Sequence, residues 1–373
     1  MIAVELTNYR AIRKGQWTAL PGLNLLIGPN GSGKSTIIGA LKFLRTAFNR
    51  DLAVALRSPY PGGAIKHWGA APEDTVDVTL TADAARWHLR LNPSGNGTGQ
   101  ALVEESVHFG DRLVLTRNPI LGLQAPGLSE STQLMGPRSA LRTLSELHPH
   151  EPGLKELGHL MERLVILHDP DVVQLRDGSP RRENRGLSSR GGNALTLLLE
   201  WSIARADRHR FDFVVSALSA AFPRLVRDLG FETRADWVGA EIFRGDDGPG
   251  SPLAQEANGV VAMLMTLTAL AAAAPGGLVV IDEPENSLHP FAIRELVRQT
   301  STWAEAQRLV VLYTTHSPVL LNELTGSPER ICVVSRETNH APTPLPELRN
   351  PEWLDRFRLG DLLMDDDFGG NDA

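Results

Sequence analysis

Gly28-Pro29-Asn30-Gly31-Ser32-Gly33-Lys34-Ser35 matches G-x-x-x-x-G-K-[ST] at every fixed position. Its flanks give the pattern physical meaning. The apolar strand Leu23-Asn24-Leu25-Leu26-Ile27 leads into it, and the amphipathic run from Thr36 to Leu44 follows. Glycines let such a loop curl tightly enough for backbone N–H groups to converge on a phosphate. The helix that follows turns its positive dipole end toward the same anion. In this pattern Lys34 reaches the β- and γ-phosphates, and the Ser35 hydroxyl ligates Mg²⁺. Asn30, Gly31, Ser32, Gly33 and Thr36 complete the expected phosphate-contacting set. The expectation is a nucleoside triphosphate site.

A second anchor is Gly277-Leu278-Val279-Val280-Ile281-Asp282-Glu283-Pro284-Glu285. Four apolar residues make a buried strand with two carboxylates at its carboxyl end, where open α/β sheets bind ligands. Asp282 is expected to hold Mg²⁺ through its water shell, and Glu283 to orient or deprotonate an attacking water. A third apolar strand, Leu309 to Thr315, delivers His316-Ser317-Pro318. His316 in that place suggests a sensor of the γ-phosphate or of the water.

Bulk properties narrow the class. A length of 373 residues allows one large or two ordinary domains. Apolar content of 42% and charged content of 22% are ordinary for a soluble globular protein. The single Cys332 excludes an internal disulfide, and with His340 alone it makes no zinc site. The chain opens on a strand-like run, Met1 to Leu6, without a basic-then-apolar leader. The longest apolar run, Val260 to Pro275, is shorter than a membrane span and is broken by Thr266 and Thr268. The expected setting is the cytoplasm, away from membranes. A net charge of -7 argues against a nucleic-acid coat but leaves room for a local basic groove.

Alternating segments at Val76–Leu80 and Trp87–Leu91, and two more strands within Val103–Leu115, imply an antiparallel sheet beside the phosphate loop. Asn92-Pro93-Ser94-Gly95-Asn96-Gly97 is a turn signal between them. From Ser139 to about Phe222 the period turns helical, with Leu195, Leu198, Leu199 and Ile203 on one face. A basic stretch, Arg176 to Arg190 with Arg181, Arg182 and Arg185 at its centre, reads either as a phosphate or nucleic-acid contact or as a solvated loop. The expected division is an N-terminal ATPase half over 1–135, a helical lobe over 136–235, a C-terminal half over 236–345 and an acidic tail over 346–373.

The sequence Ile281-Asp282-Glu283-Pro284-Glu285-Asn286-Ser287-Leu288-His289-Pro290, followed by Thr314-Thr315-His316-Ser317-Pro318, resembles ABC-type ATPases of the RecF/SMC/OLD group. More narrowly it is similar to the stand-alone predicted ATPases often classed as AAA-type. Leu6-Thr7-Asn8-Tyr9-Arg10-Ala11-Ile12 resembles the first strand motif of RecF-like heads. Gly192-Asn193-Ala194-Leu195 and Phe357-Arg358-Leu359-Gly360-Asp361-Leu362 are similar to segments of the predicted-ATPase subgroup. The implied fold is α/β: an ABC-type P-loop NTPase head with an N-terminal antiparallel sheet and a helical middle lobe. The implied cofactors are ATP and Mg²⁺.

The resemblance also implies a signature motif about twenty residues before Asp282, at Glu256-Ala257-Asn258-Gly259-Val260. There Asn258 and Gly259 would meet the γ-phosphate of an opposite subunit, and Ala257 stands where the family usually has Ser. Arg10 and Arg13 would reach the phosphates from the first strand. Gln124 and Gln133 are the candidates for the glutamine that closes on Mg²⁺. The 247 positions between Lys34 and Asp282 are too few for an SMC coiled coil, and the stretch after His316 too short for a TOPRIM nuclease. The implied function is an ATP-hydrolysing homodimer, with nucleotide sandwiched between heads. It would act in anti-phage defence with a separately encoded nuclease or toxin, or in genome maintenance. The alternatives are a nucleotide-gated scaffold without turnover and a repair ATPase acting directly on DNA.

Overall fold

The structure is a computed structural model that describes residues 1–57, 65–93, 102–120, 122–127, 138–181, 186–245, 248–335, 338–354 and 356–364. The strand before the phosphate loop, Gly22–Ile27, lies inside a six-stranded sheet. From one edge the order is Thr343–Pro344, Ile331–Val333, Gly22–Ile27, Val310–Thr315, Leu278–Asp282 and Val165–Leu167. All neighbours are parallel except the Thr343–Pro344 edge. Parallel strands need both faces covered, which is why these segments are nearly continuous apolar runs. Leu23, Leu25, Ile27, Val279, Ile281, Val311 and Tyr313 enter one core. Leu26, Leu278, Val280, Leu312 and Ile166 enter the other.

Helices Ala194–Ile203, Asn258–Ala272 and Pro290–Gln307 contribute to the first core. The second contains the apolar face of helix Lys34–Asn49 and the inner face of a seven-stranded antiparallel sheet. That sheet runs Ile12–Ala19, Ile2–Tyr9, Val76–Ala82, Ala85–Leu91, Leu102–Phe109, Arg112–Asn118, Gly122–Gln124. The expected alternation is present, with Val76, Val78, Leu80, Trp87, Leu89 and Leu91 all buried. One carboxylate is sealed beneath it. Glu105, 1% exposed, accepts from Trp87 Nε1, Ser139 Oγ and the N–H groups of Ala140 and Leu141. It thus satisfies the open N-terminus of helix Ala140–Leu147.

Between 136 and 235 the expected helices occur: Ala140–Leu147, Pro152–Glu162, Val172–Arg176, Ala194–Ile203 and Arg208–Ala221. Two features there depart from a purely helical reading. Val165–Leu167 is a strand of the central sheet. Asp228–Thr233 pairs with Trp237–Phe243 in a small separate sheet. Three residues are too few for a period to register, so the first could not announce itself.

The end of the chain also differs from an acidic tail starting at 346. Leu354, Leu359 and Leu362 are buried in the first core, and Gly360 N–H donates to Asn322 Oδ1 at 2.8 Å. Asp365, Asp366 and Asp367 lie outside the described residues, as do Ser94 to Gly97 of the turn signal.

A Cβ on Gly360 would lie 2.1 Å from the carbonyl oxygen of Pro318. Gly360→Ala is therefore expected to lower the melting temperature and to speed tryptic cleavage at Arg356 and Arg358. Digestion at the wild-type rate would count against the docked end.

Candidate nucleotide site

Strand register assembles the site. Ile27 pairs with Thr315, Thr314 with Asp282, and Ile281 with Leu167. The loops beginning at Gly28, His316, Glu283 and His168 therefore leave one edge of the sheet side by side, at its carboxyl end. Gly28 adopts φ 149, and a Cβ there would lie 2.0 Å from the Val334 carbonyl oxygen. Only glycine fits this first bend.

Lys34 is buried and its ammonium has three partners. It donates to the carbonyls of Gly28 (2.8 Å) and Pro29 (3.1 Å) and to His316 Nε2 (2.7 Å). His316 therefore accepts on Nε2 and is neutral in this arrangement. Burial and the neighbouring Lys34 charge both hold its proton affinity below the usual imidazole value. Burial brings Lys34 itself down to about 8, against the opposing pull of Glu283, Asp282 and Glu285.

Thr314 links the two acids. Its hydroxyl donates to Asp282 Oδ1 at 2.5 Å and accepts from the Glu283 N–H at 3.1 Å. Glu283 sits at φ 46, a left-handed conformation that costs a non-glycine residue roughly 1–2 kcal/mol. Its Oε1 lies 3.5 Å from His316 Nε2, and its Oε2 accepts from Asn286. Glu285 accepts from the Thr315 hydroxyl (2.6 Å) and the His316 N–H (3.0 Å), fixing the strand end that presents the histidine. Burial pushes its carboxyl above the usual range.

Two cavities meet at Glu283. One, about 410 Å³, is lined by Arg10, Ala11, Asn30 through Thr36, Lys66, Trp68 and Glu283. It gathers the whole expected loop set with Arg10, which turns at φ 50 between the first two strands. The other, about 260 Å³, lies against Asp282, Asp169, Ala262 and Thr266. Arg13 is exposed on the second strand and lines neither.

Several expectations land elsewhere. Gln124 is on the outermost strand of the antiparallel sheet, and Gln133 lies outside the described residues. The side chain beside Asp282 from the neighbouring strand is instead His168, its Nε2 3.5 Å from Asp282 Oδ2. Burial and the charge of Lys42 lower its proton affinity. The sequence signal was only a three-residue apolar run, so His168 passed unnoticed. The signature candidates are a different case: expected to serve the nucleotide of an opposite subunit, Asn258 and Gly259 stand apart from both cavities of their own chain. Asn258 Oδ1 accepts from Arg176 at 2.7 Å, and a Cβ on Gly259 would lie 2.6 Å from the Ser287 carbonyl oxygen. Gly259 thus lets the loop after Asp282 pack onto the helix start. Of the basic stretch, Arg176 is engaged with that helix, Arg190 pairs with Asp169 and Asp171, and Arg182 and Arg185 lie outside the described residues.

Among the described residues no cluster of three or more His, Cys, Asp or Glu side chains could hold a metal unaided. That fits Mg²⁺, which is commonly held by one or two protein oxygens, phosphates and waters. Ser35 is exposed in the phosphate-loop cavity and Asp282 lines the neighbouring one, so each offers an oxygen on either side of Glu283.

A family model described as "AAA domain, putative AbiEii toxin, Type IV TA system" matches residues 23–76 and 121–322. The chain belongs to this AAA family. The match contains both the phosphate loop and the acidic strand end. The chromosome partition protein Smc of Rhodopirellula baltica is 26% identical over 141 residues, 34% of this chain and only 12% of that protein. Among solved structures, an Smc head bound to the C-winged helix domain of ScpA superposes with TM-score 0.55 at 13% identity, covering 91% of this chain and 96% of that one. An Smc head with an extended coiled coil, bound to the C-terminal domain of ScpA derived from Pyrococcus furiosus, gives TM-score 0.51 at 11% identity over 92% and 96%. The family is thus an AAA one, and the fold is similar to that of Smc heads. No helix among the described residues is long and apolar enough to cross a membrane.

Gly259→Ala is expected to destabilise the fold by about 1–3 kcal/mol through overpacking against Ser287. Urea unfolding measures it, and an unchanged midpoint would contradict the close approach.

Proposed function

We propose that this head binds Mg-ATP in the cleft between the phosphate loop and Glu283 and hydrolyses it. The observation that carries this reading is the meeting of Lys34, His316 and Glu283, with Asp282 beside Glu283, at the carboxyl ends of three neighbouring strands. Ser35 and Asp282 would hold Mg²⁺, which when bound neutralises charge on the β- and γ-phosphates. Lys34 exchanges its carbonyl partners for phosphate oxygens. Glu283, its backbone fixed by Thr314, accepts the proton of the attacking water. His316, held by Glu285 at its N–H, marks the γ-phosphate end.

By the same reading the protein is a cytoplasmic homodimer, each nucleotide sandwiched between the Lys34 loop of one head and the Ala257–Val260 helix start of the other. Closure around the γ-phosphate is a two-state switch whose lifetime Glu283 sets. The family's toxin and type IV designation supports a role in anti-phage defence with a separately encoded effector. A second reading, a nucleotide-gated scaffold without turnover, is favoured by one feature. Ala257 caps its helix with no side-chain hydrogen bond, and the neighbouring Asn258 acceptor is already engaged.

Phosphate release and size-exclusion chromatography with ATP distinguish the two. Glu283→Gln is expected to cut turnover by about 100-fold or more while accumulating an ATP-bound dimer. A wild type as slow as the variant supports the scaffold. Lys34→Ala is expected to weaken ATP binding strongly, and binding at the wild-type affinity would remove the cleft from the account.

A further inference from the structure

Trp68 is a part of the cleft wall for which phosphate chemistry has no use. It is 74% exposed, yet it lines the same cavity as Lys34 and Arg10. Its ring is nevertheless fixed. His67 stacks beneath it with centroids 4.6 Å apart at 26°, and His340 stands edge-on at 6.4 Å and 79°. Each histidine is anchored in turn. The His67 N–H donates to the Asn8 carbonyl at 2.8 Å, and its Nδ1 accepts from the Gly69 N–H at 3.0 Å. His340 Nδ1 lies 2.5 Å from the Ser32 carbonyl of the phosphate loop. The strap that carries Trp68 is clipped to the first hairpin by Arg10 N–H donating to the Ile65 carbonyl at 2.8 Å.

His67 therefore covers one face of an indole that is otherwise largely exposed. The phosphate tail of a nucleotide has its donors in the loop from Asn30 to Thr36, so the base must lie toward the rest of the cavity wall. There the broad apolar surface belongs to Trp68, and an aromatic ring stacks a nucleobase without reading its edge. Resting on the ATP reading above, we propose that Trp68 is the platform on which the base of the bound nucleotide stacks, with His67 as its backing. The residue sets base affinity and takes no part in phosphate transfer.

Calorimetric titration of the full chain with Mg-ATP, and separately with Mg-tripolyphosphate, tests this in wild type, Trp68→Ala and Trp68→Phe. Trp68→Ala is expected to weaken ATP by about tenfold, and Trp68→Phe to keep most of the affinity. Tripolyphosphate, which has no base, should bind all three alike. Because Trp68 is exposed, the variants should melt with wild type, which separates lost stacking from lost fold. Unchanged ATP affinity in Trp68→Ala, or an equal loss of ATP and tripolyphosphate, overturns the proposal. If wild type binds neither ligand, the ATP reading itself falls, and this one with it. If wild type binds both and Trp68→Ala changes nothing, only the stacking platform is lost.

Discussion

Parallel registry between three short strands is the constraint on which the site depends. With Ile27 beside Thr315 and Thr314 beside Asp282, neighbouring backbones about 4.8 Å apart bring together side chains nearly 250 positions apart in sequence. A shift of one residue in either pairing would reverse the faces of Leu25, Val280 and Leu312 as well as misplace the chemistry. Because those residues are split between two separate cores, the packing that stabilises the sheet also fixes the register of the site. Burial and geometry are thus one specification.

Within that frame the polar groups form a continuous chain. Lys34 bonds His316, His316 faces Glu283, the Glu283 N–H meets the Thr314 hydroxyl, and that hydroxyl meets Asp282. Each link joins adjacent strands or their loops. The left-handed Glu283 and the glycine-only bend at Gly28 show where backbone comfort gives way to placement. The desolvated Lys34 ammonium already has a full set of three partners, two of them carbonyls, and on the ATP reading it exchanges those carbonyls for phosphate oxygens.

What the sequence made legible follows from how local each signal is. The phosphate loop, the acidic strand end and the strand-terminal His316 are contiguous motifs with apolar strands attached, and all three converge in space. The antiparallel sheet was legible because Val76, Val78 and Leu80 alternate over enough residues to count. His168 was not, because its strand has three residues and its importance arises only from pairing with Leu278–Asp282. Trp68 and Lys66 were not, because the strap reaches the cleft only by being clipped to the first hairpin. Gln124 misled because residue type, without topology, says nothing about distance from Asp282. The packed end at Leu359 and Leu362 was masked by the acidic residues around it.

The most direct test of the shared pocket is a double-mutant cycle on Mn²⁺-ATP binding with Lys34→Met and Asp282→Asn. Residues acting on one bound ligand couple, so the double variant should lose clearly less than the sum of the two single losses. Strictly additive losses, or wild-type affinity in Asp282→Asn, would mean that the lysine and the acid do not serve one triphosphate, and would contradict the account.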